Sequence, residues 1–186
     1  FKTVETLANA NAAKTWLLEE GIKSVSVSKH FAAITNNPAL ASNFGVEIDS
    51  IFPMWDWIGG RFSLWSAIGL PIALAVGYKN FQDLLCGAHA VDMHFYEAPL
   101  DKNIPIIMAI LTYWYREYFQ ASSTAVIPYS QDLALFPSYL QQLSMESLGK
   151  SVTRDGKEVK RKTGDVIWGS SGTNGQHSYF QLLHQG

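Results

Sequence analysis

Two short segments and one carboxylate have residue types that could do chemistry. Residues 59–61, Gly-Gly-Arg, place a fork-shaped cation after two residues without side chains, so that a ligand could approach the backbone closely. Residues 172–175, Gly-Thr-Asn-Gly, precede a predicted helix, where free backbone N–H groups suit an anion or sugar hydroxyls. Glu146 could act as a general base. The alternatives are a turn with a surface arginine, a plain helix N-cap and a solvated carboxylate.

Other chemistry lacks the required spacing. His89 and His94 are five residues apart, so they do not share the i, i+4 face that two metal ligands on a helix need. The single cysteine, Cys86, has no CxxC companion, and the sequence contains no HExxH, P-loop, GxGxxG or GxSxG motif. We therefore expect no metal site at these two histidines, and the sequence supports neither a Rossmann cofactor site nor an α/β-hydrolase triad.

Composition excludes several classes of protein. The 186 residues carry a formal net charge of −2, which disfavours a nucleic-acid partner, and they are 47% hydrophobic, which excludes disorder. The longest apolar stretch, residues 104–114, is too short for a membrane span. Charged residues make up 16% and aromatic residues 13%. So few charges indicate that a partner subunit, or the remainder of a longer chain, covers part of the surface.

The elements that must position these residues alternate between strand and helix. Apolar periodicity predicts helices over residues 3–20, 39–44, 63–76, 78–95, 103–119, 131–144 and 176–183, and strands over 24–35, 125–129 and 166–169. Pro71 predicts a kink or a restart within 63–76. Asp155-Gly156 predicts a hairpin turn in the basic stretch 150–163, which we interpret as a solvated hairpin rather than a polyphosphate site. The alternation favours an α/β fold with a mostly parallel sheet.

Several segments together resemble one enzyme family. Residues 56–69 (DWIGGRFSLWSAIG) closely resemble the signature of the glucose-6-phosphate isomerases. The similarity continues in the family's order and spacing through 85–89, 93–95, 128–129, 141–142, 145–147, 149–150, 172–177 and 184–186. The resemblance implies a three-layer sandwich of the sugar-isomerase type and a central fragment of a two-domain enzyme. Residues 1–76 would end the smaller domain, and residues 77–186 would form part of the larger one.

The resemblance also implies roles for three catalytic residues. Glu146 would be the base that moves a proton between C2 and C1 of the opened sugar, which requires a carboxylate, usually a partly desolvated one. Arg61 would stabilise the negative charge of the cis-enediol(ate). His177 would assist ring opening, since imidazole can transfer a proton near pH 7. In this family the histidine is contributed to the neighbouring subunit's site, which implies a homodimer.

Binding residues follow from the same resemblance. Gln142 and Gly60 would line the sugar, and Thr3 and Thr6 would belong to the phosphate-binding loop. Glu5 would orient His177. Threonine hydroxyls and helix-start amides can hold a phosphate dianion without a metal.

The implied function is a cytoplasmic aldose–ketose isomerase of glycolysis and gluconeogenesis that interconverts glucose 6-phosphate and fructose 6-phosphate without a cofactor. The alternatives are a non-catalytic, regulatory sugar-phosphate-binding module and a purely structural scaffold. Two departures from the family bear on activity: Lys2 replaces the usual threonine of the phosphate loop, and the family's catalytic lysine is absent. We therefore expect this chain alone to be inactive.

Overall fold

The structure, a computed structural model, describes residues 3–186 and divides the chain into two units. The first unit ends at Cys86 and the second spans Gly87–Gly186. The helices are α1 (Val4–Glu19), α2 (Pro38–Phe44), α3 (Leu70–Val76), α4 (Tyr78–Glu97), α5 (Ile104–Tyr118), α6 (Phe136–Leu140), α7 (Gly172–Gln176) and α8 (Phe180–Gln185). The strands are β1 (Ala33–Thr35), β2 (Ile51–Pro53), β3 (Ser123–Ala125) and β4 (Val166–Trp168). Helices thus predominate, and the parallel sheets are short, as in an α/β fold.

In the first unit a parallel strand pair packs against one helix. β1 pairs with β2 in the register Ala33↔Ile51, and α2 lies between them in sequence. The side chain of Asn37 caps α2 by accepting from the Leu40 N–H at 3.2 Å, and Pro38 occupies the first turn, where its missing N–H costs nothing. Ala41 and its neighbours form a small core between the helix and the strands.

In the second unit β3 and β4 form the other parallel pair, in the register Thr124↔Ile167. Asp165, immediately before β4, ties the pair to α5. One of its carboxylate oxygens accepts from the Thr124 hydroxyl at 3.2 Å, and the other lies 3.7 Å from Arg116 Nη1. The connection from β3 to β4 carries α6, the π-helix Gln141–Glu146 and the basic hairpin. β4 is therefore the element around which this unit is organised.

Several predicted elements differ from the structure. Ser24–His30 is a 3₁₀-helix, so only Ala33–Thr35 of the predicted strand 24–35 is extended. Here the Ser26 N–H donates to the carbonyl of Lys23 at 2.8 Å, and the Ser28 hydroxyl donates to the Glu47 carboxylate at 3.0 Å. These contacts outweigh the β-propensity of the alternating valines. The strand predicted at 125–129 is displaced to β3, and the helix predicted at 176–183 is divided into α7 and α8.

Other predictions are confirmed. α2, α4 and α5 lie where the periodicity places them, and Pro71 falls in the first turn of α3, which restarts after a 3₁₀-turn. The hairpin is also present: Gly156 has φ of 74°, and Val152 pairs with Glu158 in an antiparallel bridge. These elements are specified by caps, prolines and turn residues that lie within them or next to them in the sequence.

Much apolar surface is exposed. Large apolar side chains are exposed in both units, such as Trp57 in the first and Leu135 in the second. Large apolar side chains of α5, including Ile104, Trp114 and Tyr118, are exposed. Apolar residues on several faces are typical of a helix that is buried on several sides. No helix described between residues 3 and 186 has both the length and the apolarity of a membrane span.

Gly169, which follows β4, is a position where the fold requires glycine. Its φ is 148°, and an added Cβ would lie 1.9 Å from the carbonyl oxygen of Val126. We expect Gly169→Ala to lower the free energy of unfolding of the intact protein by on the order of 3 kcal/mol, because strain and overpacking add. Calorimetric unfolding should show the shift. Gly87→Ala, in open space on helix α4, is the matched control, and an equal effect of both variants would contradict this account.

Candidate active site

In the first unit Arg61 lies in a turn held by its own backbone. Gly60–Phe62 is a 3₁₀-turn, and the Phe62 N–H donates to the carbonyl of Gly59 at 3.1 Å. Ser63 is buried, and its hydroxyl donates to the carbonyl of Gly60 at 2.5 Å. Arg61 is half-buried. The turn thus fixes the point from which the guanidinium extends.

The two glycines of this turn are not required by the described part of the chain. Neither Gly59 nor Gly60 has a positive φ, and an added Cβ would meet no described atom within 4 Å at either position. Gly69, by contrast, lies so close to Leu64 and Phe81 that a Cβ would clash at 2.4 Å. No packing contact within residues 3–186 therefore requires glycine at 59 and 60, whereas the close approach of a ligand to the backbone would.

A cavity of about 380 Å³ adjoins the same turn. The rings of Trp55 and Trp57 stack with centroids 5.9 Å apart, and Phe62 and Trp65 complete its aromatic lining beside Gly59. This cavity was not predicted from the sequence. The available signal was the density of tryptophan around the Gly-Gly-Arg segment.

The N-terminus of α1 presents polar groups suited to an anion. Thr3 is the N-cap, but within the described residues its side chain makes no capping hydrogen bond. Thr3, Glu5 and Thr6 are all exposed in the first turn of this 16-residue helix. The first turn of a helix has free N–H groups and the positive end of the helix dipole. Lys2, the departure in the predicted phosphate loop, lies outside the described residues.

In the second unit a π-helix carries the predicted base. Gln141–Glu146 forms it, at the end of the segment predicted as an ordinary helix. Gln142 and Glu146 are both exposed, and they lie four residues apart. The Lys150 ammonium donates to the carbonyl of Glu146 at 2.9 Å and so closes the end of the segment. π-Helices are rare and are frequently found at functional sites.

His177 lies at the end of α7. It is the C-cap, its N–H donates to the carbonyl of Asn174 at 3.2 Å, and its side chain is exposed. Gly172 and Gly175 are buried because the rings of Tyr129 and Tyr179 pack where a Cβ would be. The backbone leading into His177 therefore packs against two tyrosine rings.

This packing corrects the interpretation of residues 172–175 as a polar loop before a helix. The segment is itself the short helix α7, which begins at Gly172, not at residue 176. Its glycines are accounted for by the tyrosines, so they give no support to an anion-binding loop.

Each unit holds one group of the predicted site residues. The first unit holds Arg61, Gly60, Thr3, Thr6 and Glu5. The second holds Gln142, Glu146 and His177, and both elements that carry these three residues adjoin β4. The π-helix bonds to β4 through Ile167, and α7 follows β4 after Gly169 and two serines.

His89 and His94, the two histidines of α4, have different surroundings. His94 Nε2 accepts from the Ile104 N–H at 3.1 Å and so helps to begin α5, while His89 is exposed on α4. Within residues 3–186 no group of three His, Cys, Asp or Glu side chains is arranged to hold a metal ion.

Comparisons with known proteins give one family. The family model described as phosphoglucose isomerase matches residues 1–186. A protein of Shewanella halifaxensis named glucose-6-phosphate isomerase is 55% identical over 100% of this chain and 34% of its own length. Glucose-6-phosphate isomerase 2 of Pseudomonas putida gives the same values. A crystal structure of a glucose-6-phosphate isomerase from Chlamydia trachomatis matches with a TM-score of 0.87 at 39% identity, over 100% of this chain and 35% of that one. The chain thus spans about a third of the length of these relatives.

Proposed function

The chain belongs to the phosphoglucose isomerase family, and we propose that it is the central part of an enzyme that interconverts glucose 6-phosphate and fructose 6-phosphate. The observation that carries the proposal is the exposed π-helix that bears Gln142 and Glu146 beside β4, in a chain that matches named glucose-6-phosphate isomerases over its whole length.

Proton transfer is assigned to Glu146. Its carboxylate takes the proton from C2 of open-chain glucose 6-phosphate, and the C–H electron pair forms the C1=C2 bond of a cis-enediol(ate). The negative charge then lies on the former aldehyde oxygen. The C2 hydroxyl passes its proton to this oxygen, the C2 oxygen becomes the ketone, and Glu146 returns its proton to C1, which gives fructose 6-phosphate. A carboxylate suits this step because it can both accept and return one proton.

Arg61 acts on the charge that this transfer creates. The guanidinium provides several donors in a rigid planar fork, and the turn fixes the backbone from which it extends. Donors placed in this way before the reaction need little reorganisation as the anion forms. Its effect is therefore larger on the transition state than on the substrate. Gly60 leaves room for the sugar to approach the backbone of the same turn.

Ring opening and substrate binding complete the site. His177 transfers the proton that opens the cyclic sugar, and it does so in the active site of the neighbouring subunit of a homodimer, with Glu5 orienting its ring. Gln142 lines the sugar. Thr3 and Thr6 hold the phosphate dianion at the N-terminus of α1.

The whole protein provides the setting for this site. We place residues 1–76 at the end of its smaller domain and residues 77–186 in its larger domain, within a three-layer sandwich built on a mostly parallel sheet. The rest of the polypeptide and the dimer partner cover the apolar surface, α5 included. The enzyme acts in glycolysis and gluconeogenesis in the cytoplasm.

An assay of the intact protein tests this function. Fructose 6-phosphate should be converted to glucose 6-phosphate without added metal or cofactor, and a coupled measurement of glucose 6-phosphate follows the rate. Sugar-phosphate binding without conversion would instead support the non-catalytic regulatory module. Absence of both binding and conversion would leave a structural role.

Gly60→Ala should impair function with little effect on folding. The added methyl group meets no described atom of the chain, so we expect an unchanged unfolding temperature. The methyl group would occupy space that the sugar needs, so KM for fructose 6-phosphate should rise about tenfold or more, as for a small steric change in a binding site. Steady-state kinetics measure this change. Gly87→Ala, which is equally unhindered on α4, should keep the wild-type KM.

A further inference from the structure

Ile167 of β4 connects the π-helix to the sheet through both of its backbone polar groups. The side-chain amide of Gln141 donates to the Ile167 carbonyl at 3.0 Å. The Ile167 N–H in turn lies 3.4 Å from the sulfur of Met145, which accepts from it. Gln141 and Met145 are four residues apart, so one face of the π-helix makes both bonds.

These bonds occupy the edge of β4 that faces away from β3. The Val166 N–H donates to the carbonyl of Ser122 at 3.3 Å, and the Trp168 carbonyl accepts from the Val126 N–H at 2.8 Å. The intervening residue, Ile167, therefore directs its N–H and C=O to the opposite side, as alternate residues of a strand do. Two side chains of the π-helix thus take the place of a further strand at this edge.

The same geometry sets the position of the proposed base. Gln142 and Glu146 each follow a residue that bonds to β4, so they occupy the adjacent face of the π-helix. A return to ordinary α-helical bonding would shift the helix register by one residue and turn Glu146 by about 100° around the axis. Because a π-helix is locally less favourable than an α-helix, external contacts must hold it in this form.

We propose that Gln141 is a positioning residue for proton transfer: its amide, together with the sulfur of Met145, holds the π-helix on β4 and so keeps Glu146 at the reacting carbons. This inference rests on the proposed function. Gln141 touches no substrate in this account and acts through Glu146. Displacement of a reacting group by about 1 Å can cost about 100-fold in rate, so the loss of a single amide can have a large effect.

The first test replaces the amide by an apolar group of similar size. In the intact protein, Gln141→Leu should lower kcat about 10- to 100-fold. KM for fructose 6-phosphate should rise by a smaller factor, because Gln142 moves with the π-helix while the phosphate contacts on α1 are unchanged. Gln82→Leu, at an exposed position on α4 of the first unit, is the matched control and should keep the wild-type kcat.

A second variant gives a readout that a general loss of stability would not reproduce. Gln141→Glu keeps the size and shape of the side chain, but an ionised carboxylate cannot donate to the Ile167 carbonyl. A protonated carboxyl can donate, so the activity of Gln141→Glu relative to wild type should recover as the pH falls towards the ordinary glutamate pKa of about 4.3. The ratio for Gln141→Leu should not change with pH.

The outcomes separate this inference from the proposed function. A wild-type protein that does not isomerise fructose 6-phosphate would overturn both. An active wild type with Gln141→Leu and Gln141→Glu at wild-type kcat would overturn the positioning role alone. If Gln141→Leu fails to fold, the isosteric Gln141→Glu tests the positioning role instead. An activity of Gln141→Glu relative to wild type that does not change with pH would then reject the proposal.

Discussion

The Glu146→Gln variant of the intact protein is expected to isomerise fructose 6-phosphate about 10²- to 10⁴-fold more slowly than wild type, the range in which general base catalysis contributes. The amide has the size of the carboxylate but cannot accept the proton that leaves C1 of fructose 6-phosphate. Binding should change little, because the phosphate and sugar contacts lie on other residues. Measurement of kcat and KM by the coupled assay separates the effect on turnover from the effect on binding. Nearly all of the loss in kcat/KM should come from kcat.

A matched control makes this loss specific. Glu158 is an exposed glutamate of the basic hairpin, and Glu158→Gln makes the same chemical change away from the π-helix. Wild-type turnover in Glu158→Gln with a large loss in Glu146→Gln assigns the effect to position 146. Near-normal turnover in Glu146→Gln would remove this residue from the mechanism.

Replacement of Arg61 should have the second largest effect. Loss of one donor to a developing oxyanion lowers kcat about 10²- to 10³-fold. We therefore expect the kcat of Arg61→Ala to be lower than that of wild type by at most about this factor. Arg61→Lys keeps the charge but loses the planar fork, and it should recover only part of the rate. Because the turn is held by backbone bonds and by Ser63, we expect both variants to fold.

The control for this prediction is Arg154→Ala in the exposed hairpin, which changes the net charge by the same amount. Its kinetic constants should match those of wild type. If Arg61→Ala instead raised KM with kcat unchanged, the guanidinium would bind substrate and transition state equally, and its assignment to the enediolate would be wrong.

Local sequence signals predicted the elements whose hydrogen bonds are local. Asn103 and Pro105 begin α5 by an N-cap and a first-turn proline, and Gly156 adopts the positive φ that its hairpin needs. The π-helix was not predictable in this way, because its form depends on Ile167, more than twenty residues further along the chain. Likewise, the buried state of Gly172 depends on Tyr129, which no local pattern indicates.

The site was predicted unevenly for the same reason. Residue types alone drew attention to Arg61 and Glu146 but left each with a structural alternative. The family resemblance supplied the roles of Gln142 and His177, whose side chains carry no distinctive spacing. The two tyrosines that hold α7 and the tryptophan cavity beside Gly59 appeared only in three dimensions.

Incubation of the intact protein with fructose 6-phosphate in deuterated water, followed by proton NMR, tests the central claim most directly. The account predicts glucose 6-phosphate that carries partial deuterium at C2, because the proton held by Glu146 exchanges with solvent during the lifetime of the enediolate. In the Glu146→Gln variant both conversion and deuterium incorporation should be lost together. Conversion with no deuterium at C2 in any sample would indicate direct hydride transfer and contradict the enediolate mechanism, and bound but unconverted substrate would contradict the isomerase function itself.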